Sequence, residues 1–163
     1  MITLVLGGAR SGKSAVAERL TAALPGPVTY LATAVVADVD HAARIAAHRA
    51  RRDPTWVTIE VGADLAGTLR GVTGSVLIDS LGTWVASHER CAADVAGLCA
   101  ALLERGGDTV VVSEEVGLGV HPSSAVGRRF RDALGLVNAA VAEVSGDVLL
   151  VVAGRVLPLG RVP

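Results

Sequence analysis

The sequence predicts an α/β fold, a mostly parallel sheet flanked by helices, and three observations carry that reading. Short Val- and Ile-rich runs recur along the chain, longer stretches with helical character lie between them, and the first apolar run leads straight into a glycine-rich loop. The runs are apolar almost throughout, which suits strands of a sheet covered on both faces. The length of 163 residues fits one domain over 1–163, because about 150 residues is an ordinary size for a single α/β unit.

In chain order, the first strand is expected over 2–6 and the first helix over 13–24, with Pro25-Gly26-Pro27 as punctuation. A second strand follows over 28–32, a helix over 38–52, and strands over 56–61 and 75–79. Arg105-Gly106-Gly107 precedes a strand over 109–113, and His121-Pro122 precedes a long helix over 123–144. A last strand is expected over 147–153. No internal repeat or low-complexity segment interrupts this order.

Composition narrows the function classes. Hydrophobic residues make up 51% of the chain and aromatic ones 2%, so the core must be aliphatic. Mean hydropathy is +0.52, yet charges interrupt every apolar stretch before the roughly 18 residues a spanning helix needs. The start of the chain lacks the basic region of a signal peptide, so a cytoplasmic location is expected. Fifteen basic residues against 16 acidic ones, net charge -1, give no overall field for nucleic acid. Cys91 and Cys99 have no metal-ligand spacing and read as small buried hydrophobes on a helix.

Gly7-Gly8-Ala9-Arg10-Ser11-Gly12-Lys13-Ser14 matches GxxxxGK[ST] between an apolar strand and a helix, the context that a phosphate loop needs. Glycines let the backbone turn its N–H groups toward phosphate oxygens, and the new helix adds its positive end. Lys13 is expected to reach the β- and γ-phosphates, and the Ser14 hydroxyl to ligate Mg²⁺. Asp79, closing Val76-Leu77-Ile78-Asp79, is the leading second partner for that ion.

Arg44, His48 and Arg51 or Arg52 recur at helical spacing and share one face. Such a face can hold a polyphosphate, and its positive field favours neutral imidazole, the form able to attack phosphorus. The same spacing equally describes a solvated amphipathic face. Glu114 and Glu115 fall at the carboxyl edge of the sheet, where open α/β folds collect ligands, and either is a candidate to bind or activate substrate. Arg128, Arg129 and Arg131 form a basic cluster that reads either as an anion contact or as a solvated helix face.

Several ordered blocks then converge: the phosphate loop, Tyr30-Leu31-Ala32-Thr33-Ala34, Arg44-Ile45 with His48-Arg49 and Trp56, Asp79-Ser80-Leu81, Glu115-Val116-Gly117-Leu118-Gly119, and Phe130-Arg131-Asp132 through Val137-Asn138. In this order they resemble the bifunctional adenosylcobinamide kinase / adenosylcobinamide-phosphate guanylyltransferase family of cobalamin assembly, over nearly the whole chain. The resemblance implies a P-loop NTPase sheet of the recombinase-like type, a homotrimer, ATP and GTP as substrates beside a corrinoid, and His48 as the residue that carries GMP. It also implies that Thr33, Arg49, Arg51, Arg52, Glu60 and Asp79 help hold the guanine nucleotide. Glu60 suits this chemically, since a carboxylate accepts from guanine N1–H and N2–H₂. Of the two carboxylates after the strand over 109–113, Glu115 is taken as the candidate to bind substrate.

The chain departs from the family at Ser80, where Cys is common, at Gly82, where Thr is common, and at His41, where Met is common. The segment after Trp84, Val85-Ala86-Ser87-His88-Glu89-Arg90, also differs. Two other readings fit the loop alone: a small-molecule kinase without a covalent histidine, and a nucleotide-hydrolysing module that drives a protein partner.

Overall fold

A computed structural model describes residues 1–34 and 53–161. Strand β1 (Ile2–Gly7) leads through the glycine-rich loop into helix α1 (Lys13–Ala22) and then β2 (Val28–Ala32). Beyond residue 53 come β3 (Val57–Glu60), α2 (Leu65–Arg70), β4 (Ser75–Asp79), α3 (Leu81–Ala86), a 3-10 turn (Glu89–Cys91) and α4 (Val95–Glu104). They are followed by β5 (Thr109–Glu114), α5 (Ala125–Val144), β6 (Asp147–Val152) and β7 (Arg155–Pro158). Among the described residues, seven strands share one sheet in the order β3-β2-β4-β5-β1-β6-β7. All neighbours pair in parallel except β6 and β7.

The central strands are buried on both faces because alternate side chains feed two separate cores. Leu4, Leu31, Ile78 and Val111 point to one face and pack with Leu65, Leu69, Leu81, Trp84, Leu98, Leu102, Leu134 and Val141 from α2 to α5. Val5, Tyr30, Leu77, Val110 and Val112 point to the other, where Val16 and Ala17 of α1 meet them. Fully burying a Val or Leu side chain contributes roughly 1.5–3 kcal/mol, so this double layer fixes the strand register and with it the carboxyl edge. Helix starts are set locally: Asp64, Asp94 and Ser124 accept from the backbone N–H of Gly67, Gly97 and Gly127, capping α2, α4 and α5.

The α/β fold class and all six expected strands are present, with ends within a residue or so. The helix expected over 38–52 lies outside the described residues. The seventh strand was not anticipated. β7 is exposed throughout and ends on Pro158, so it carries no buried face to leave a period in the sequence. The signal that marks it is the two-residue turn Ala153-Gly154, both at positive φ, which closes a hairpin and ends β6 at Val152. The cysteines are free and only half-buried: Cys91 lies in the 3-10 turn and Cys99 on α4. Burial pushes the Cys99 thiol up from its ordinary value.

Candidate active site

Parallel strands bring their carboxyl ends to one edge, and the loop sits there. Gly7 ends β1 in register with Glu114 of β5 on one side and Val151 of β6 on the other. A Cβ at Gly7 would collide with Ser11 Oγ and lie 2.8 Å from Val151 O, so only glycine lets the loop fold back so tightly. Ser11 is buried; its Oγ accepts from Lys13 N at 3.3 Å and its carbonyl from Gly154 N at 2.8 Å. The β6–β7 turn thus braces the loop from outside. Gly12 stands at φ +93°, a left-handed position, with Gly154 Cα only 3.3 Å from where a Cβ would be. Arg10 holds φ 56° without being glycine, and it and Ala9 are exposed at the loop tip.

Lys13 opens α1 beside Ser14. Its Nζ donates to Gly8 O at 3.4 Å and lies 3.6 Å from Glu114 Oε1. The other carboxylate oxygen of Glu114 accepts from Ser80 Oγ at 3.0 Å and from Gly82 N at 3.1 Å. The backbone of Glu114 is held as well, since Asn138 Nδ2 of α5 donates to its carbonyl at 3.0 Å while Asn138 Oδ1 accepts from Ser113 Oγ at 2.6 Å. One carboxylate is therefore fixed by β5, the start of α3 and the phosphate-loop lysine together.

Asp79 closes β4, next to β5, and its Oδ2 accepts from the hydroxyl of buried Tyr30 at 3.0 Å. Its peptide bond to Ser80 is cis. Thr33, just past β2, is 2% exposed; its Oγ1 donates to Ser80 O at 2.6 Å, accepts from Ser80 N at 2.8 Å and lies 2.6 Å from Thr83 Oγ1. Thr83 and Ser80 also form the capping box that starts α3. A hydrogen-bonded route therefore runs from Thr33 through Ser80 to Glu114, and an ion pair continues it to Lys13.

The loop, Asp79 and Thr33 are thus gathered at the carboxyl edge. Glu60 ends β3 opposite Ala32 and is exposed, with β2 between it and Asp79. Glu115 lies half-buried; its N–H donates to Gly7 O at 3.1 Å, and its carboxylate accepts from Gly117 N at 2.7 Å, turned onto its own loop. Of the two neighbouring carboxylates it is Glu114 that meets Lys13. Arg44, His48, Arg49, Arg51, Arg52 and His41 lie outside the described residues. Arg128 bonds the carbonyls of Pro122 and Ser123, and Arg131 pairs with Asp132, which gives that cluster a local structural role. His88 stacks edge-on against Trp84 and bonds its carbonyl at 2.8 Å.

The roles of Ser80, Gly82, Thr83 and Asn138 were missed in the sequence because single small or polar residues at a helix start or within a helix carry no periodic signal; the departures at Ser80 and Gly82 were the available pointer. Ser14 and Asp79 offer oxygen donors of the kind Mg²⁺ takes, with phosphate and water completing its shell. Among the described residues no group of three or more His, Cys, Asp or Glu is placed to hold a metal ion.

Comparison with known proteins places this geometry. The family described as cobinamide kinase / cobinamide phosphate guanyltransferase matches residues 3–159. The bifunctional adenosylcobalamin biosynthesis protein CobP of Pseudomonas aeruginosa is 40% identical over all of this chain and 99% of its own length. The proteins named CobU from Salmonella typhimurium and Escherichia coli are 38% and 35% identical, each over 94% of this chain and 97% of their own. Among solved structures, the P4 protein from bacteriophage phi6 in complex with ADP covers 95% of this chain at 18% identity and a TM-score of 0.45, the alignment spanning 52% of that protein. With the phosphate loop seated at the carboxyl edge and a match running almost end to end, the chain belongs to the cobinamide kinase / cobinamide phosphate guanyltransferase family.

Proposed function

We propose that this chain phosphorylates adenosylcobinamide with a nucleoside triphosphate and then transfers GMP from GTP to adenosylcobinamide phosphate, giving adenosylcobinamide-GDP and pyrophosphate. The observation that carries the reading is the pairing of a formed phosphate loop, Lys13 on Glu114 beside Asp79, with a family match over residues 3–159.

In the kinase half, the loop N–H groups and Lys13 hold the polyphosphate while the acceptor hydroxyl attacks the γ-phosphorus and the nucleoside diphosphate leaves. Ser14 and Asp79 are the residues to hold Mg²⁺, which when bound offsets phosphate charge. In the guanylyltransferase half, a ring nitrogen of His48 attacks the α-phosphorus of GTP, a P–N bond forms and pyrophosphate departs. The phosphate of the corrinoid then displaces the histidine. Splitting the exchange in two is ordinary covalent catalysis. In this reading Arg49, Arg51, Arg52 and Glu60 hold the guanine nucleotide, Thr33, its hydroxyl buried on Ser80 and Thr83, supports that edge from beneath, and Glu115, held on Gly117 N in the loop after β5, is the candidate for the second substrate. Resemblance also supports a homotrimer acting in the cytoplasm, which sedimentation equilibrium and cell fractionation test. Among the described residues no helix is long and apolar enough to cross a membrane.

Incubation with α-labelled or γ-labelled GTP, followed by a denaturing gel, tests the covalent step. Retained α-label that is acid-labile, alkali-stable and absent from His48→Ala is expected. An enzyme that binds GTP but retains no α-label leaves a plain kinase, and phosphate release stimulated by a protein alone points to the nucleotide-hydrolysing module.

A further inference from the structure

We propose that Glu114 is a positioning residue: seated in a socket made by Ser80 and Gly82, it holds the phosphate-loop lysine and makes capture of a nucleoside triphosphate depend on a divalent cation. Two positions at the start of α3 where the chain departs from the family, Ser80 and Gly82, both contact this one carboxylate. Ser80 Oγ donates to Oε2 at 3.0 Å and Gly82 N does so at 3.1 Å. A Cβ on Gly82 would run into Oε2 and lie 2.9 Å from Cδ, so any side chain there displaces the carboxylate. Glycine at 82, serine at 80 and glutamate at 114 are therefore a matched set, and the threonine common at 82 is incompatible with Glu114 in this place.

The seated carboxylate has a defined consequence. Its other oxygen, Oε1, lies 3.6 Å from Lys13 Nζ, with the Glu114 side chain 29% and the Lys13 side chain 12% exposed. A polyphosphate on the loop must share Lys13 with Glu114, and its negative charge comes to rest within several ångströms of a carboxylate that Ser80 and Gly82 hold in place. In a partly buried site that repulsion is screened far less than in water. A nucleotide whose phosphates are neutralised by a divalent cation feels much less of it. Glu114 so discriminates between free and metal-loaded nucleotide, while also presenting Lys13 over the loop.

The inference rests on the loop binding nucleotide and not on the corrinoid or on His48, so an enzyme lacking any GMP-histidine tests it equally well. The probe is α,β-methylene-GTP, which resists attack at the α-phosphorus, titrated calorimetrically in EDTA and again in MgCl₂. Glu114→Gln keeps the shape and both acceptor contacts of Oε2 while removing the charge. It is expected to tighten binding in EDTA about tenfold and in MgCl₂ about threefold or less, so that the ratio of the two dissociation constants narrows. Gly82→Ala, which pushes the carboxylate out of its socket, is expected to shift the ratio in the same direction and to do nothing further in the Glu114→Gln background. Equal changes with and without Mg²⁺, no change, or weaker binding in EDTA overturns the proposal. Loss of binding confined to MgCl₂ also overturns it, by making Glu114 a metal ligand. Should Gly82→Ala not fold, Glu114→Gln decides the matter alone.

Discussion

The two edges of the sheet are built from the same parallel strands and differ in how far polar side chains meet one another. At the carboxyl edge, bonds to backbone are joined by side chains that meet side chains across distant segments: Tyr30 with Asp79, Thr33 with Thr83, Ser80 with Glu114, Glu114 with Lys13, Ser113 with Asn138. At the amino edge, side chains mostly close onto backbone. Ser75 Oγ donates to Pro25 O at 2.7 Å and Arg105 donates to Gly74 O, while Thr109 N and Met1 O join backbone to backbone at 2.9 Å. Where Met1 and Asp108 form an ion pair there, it is in large part solvent-exposed. Backbone carbonyls make turns; mutually oriented side chains make a site. The difference teaches where substitutions should cost activity and where they should cost little.

The largest expected effect is on the lysine itself. Lys13→Met removes the loop lysine that the proposed mechanism sets on the phosphates, and γ-phosphoryl transfer is expected to fall about 100- to 1000-fold, by analogy with losing one oriented donor to a developing charge. Ser80 and Gly82 still hold Glu114, so the melting temperature should move by no more than a few degrees. Steady-state kinetics and thermal unfolding on one preparation measure both. A large fall in melting temperature would show that the Lys13–Glu114 pair holds the edge together and would erase the contrast between the edges.

Next comes Asn138, which joins the long helix to β5 by serving two partners at once. Asn138→Ala leaves the Ser113 hydroxyl and one lone pair of the Glu114 carbonyl without their partner in a buried place, and about 2 kcal/mol or more of stability should be lost. In a chain of this length that is a fall of roughly 5 °C or more in melting temperature. Nucleotide affinity should weaken less, because Glu114 keeps its side-chain partners and its place in the β1 register.

How much of this was legible beforehand follows from what leaves a pattern. The phosphate loop was readable because glycines, lysine and serine at fixed spacing have few other uses, and the strands because buried runs are apolar without interruption. Asp79 could be placed because it ends such a run. Glu114 and Glu115 could not be told apart: adjacent residues at a strand end point to opposite sides, and only the register with Gly7 decides which one faces Lys13. Ser80, Thr83 and Asn138 look like ordinary polar residues until long-range packing brings them together. β7 escaped notice for the converse reason, since an exposed edge strand has no buried face to mark it.

The smallest effect is expected at the amino edge, from Arg105. Its Nη2 donates to Gly74 O, but Nε and Nη1 are buried without a protein partner among the described residues. Burial lowers the affinity of the guanidinium for its proton, against a smaller opposing pull from Asp108. A base held below its ordinary value costs the folded state stability wherever it stays charged, and the relief would come only at a pH above the folded value, far beyond the working range. At neutral pH the cation is therefore carried at a cost, with one hydrogen bond in return. Arg105→Met keeps the apolar stem and removes both terms, so stability should change by about 1 kcal/mol or less, with nucleotide binding and both transfer activities at wild-type levels. A loss of several kcal/mol in denaturant titration would make Arg105 an organiser of its edge in the way that Glu114 is of the other, and the contrast between backbone-closed and side-chain-closed edges would then fail.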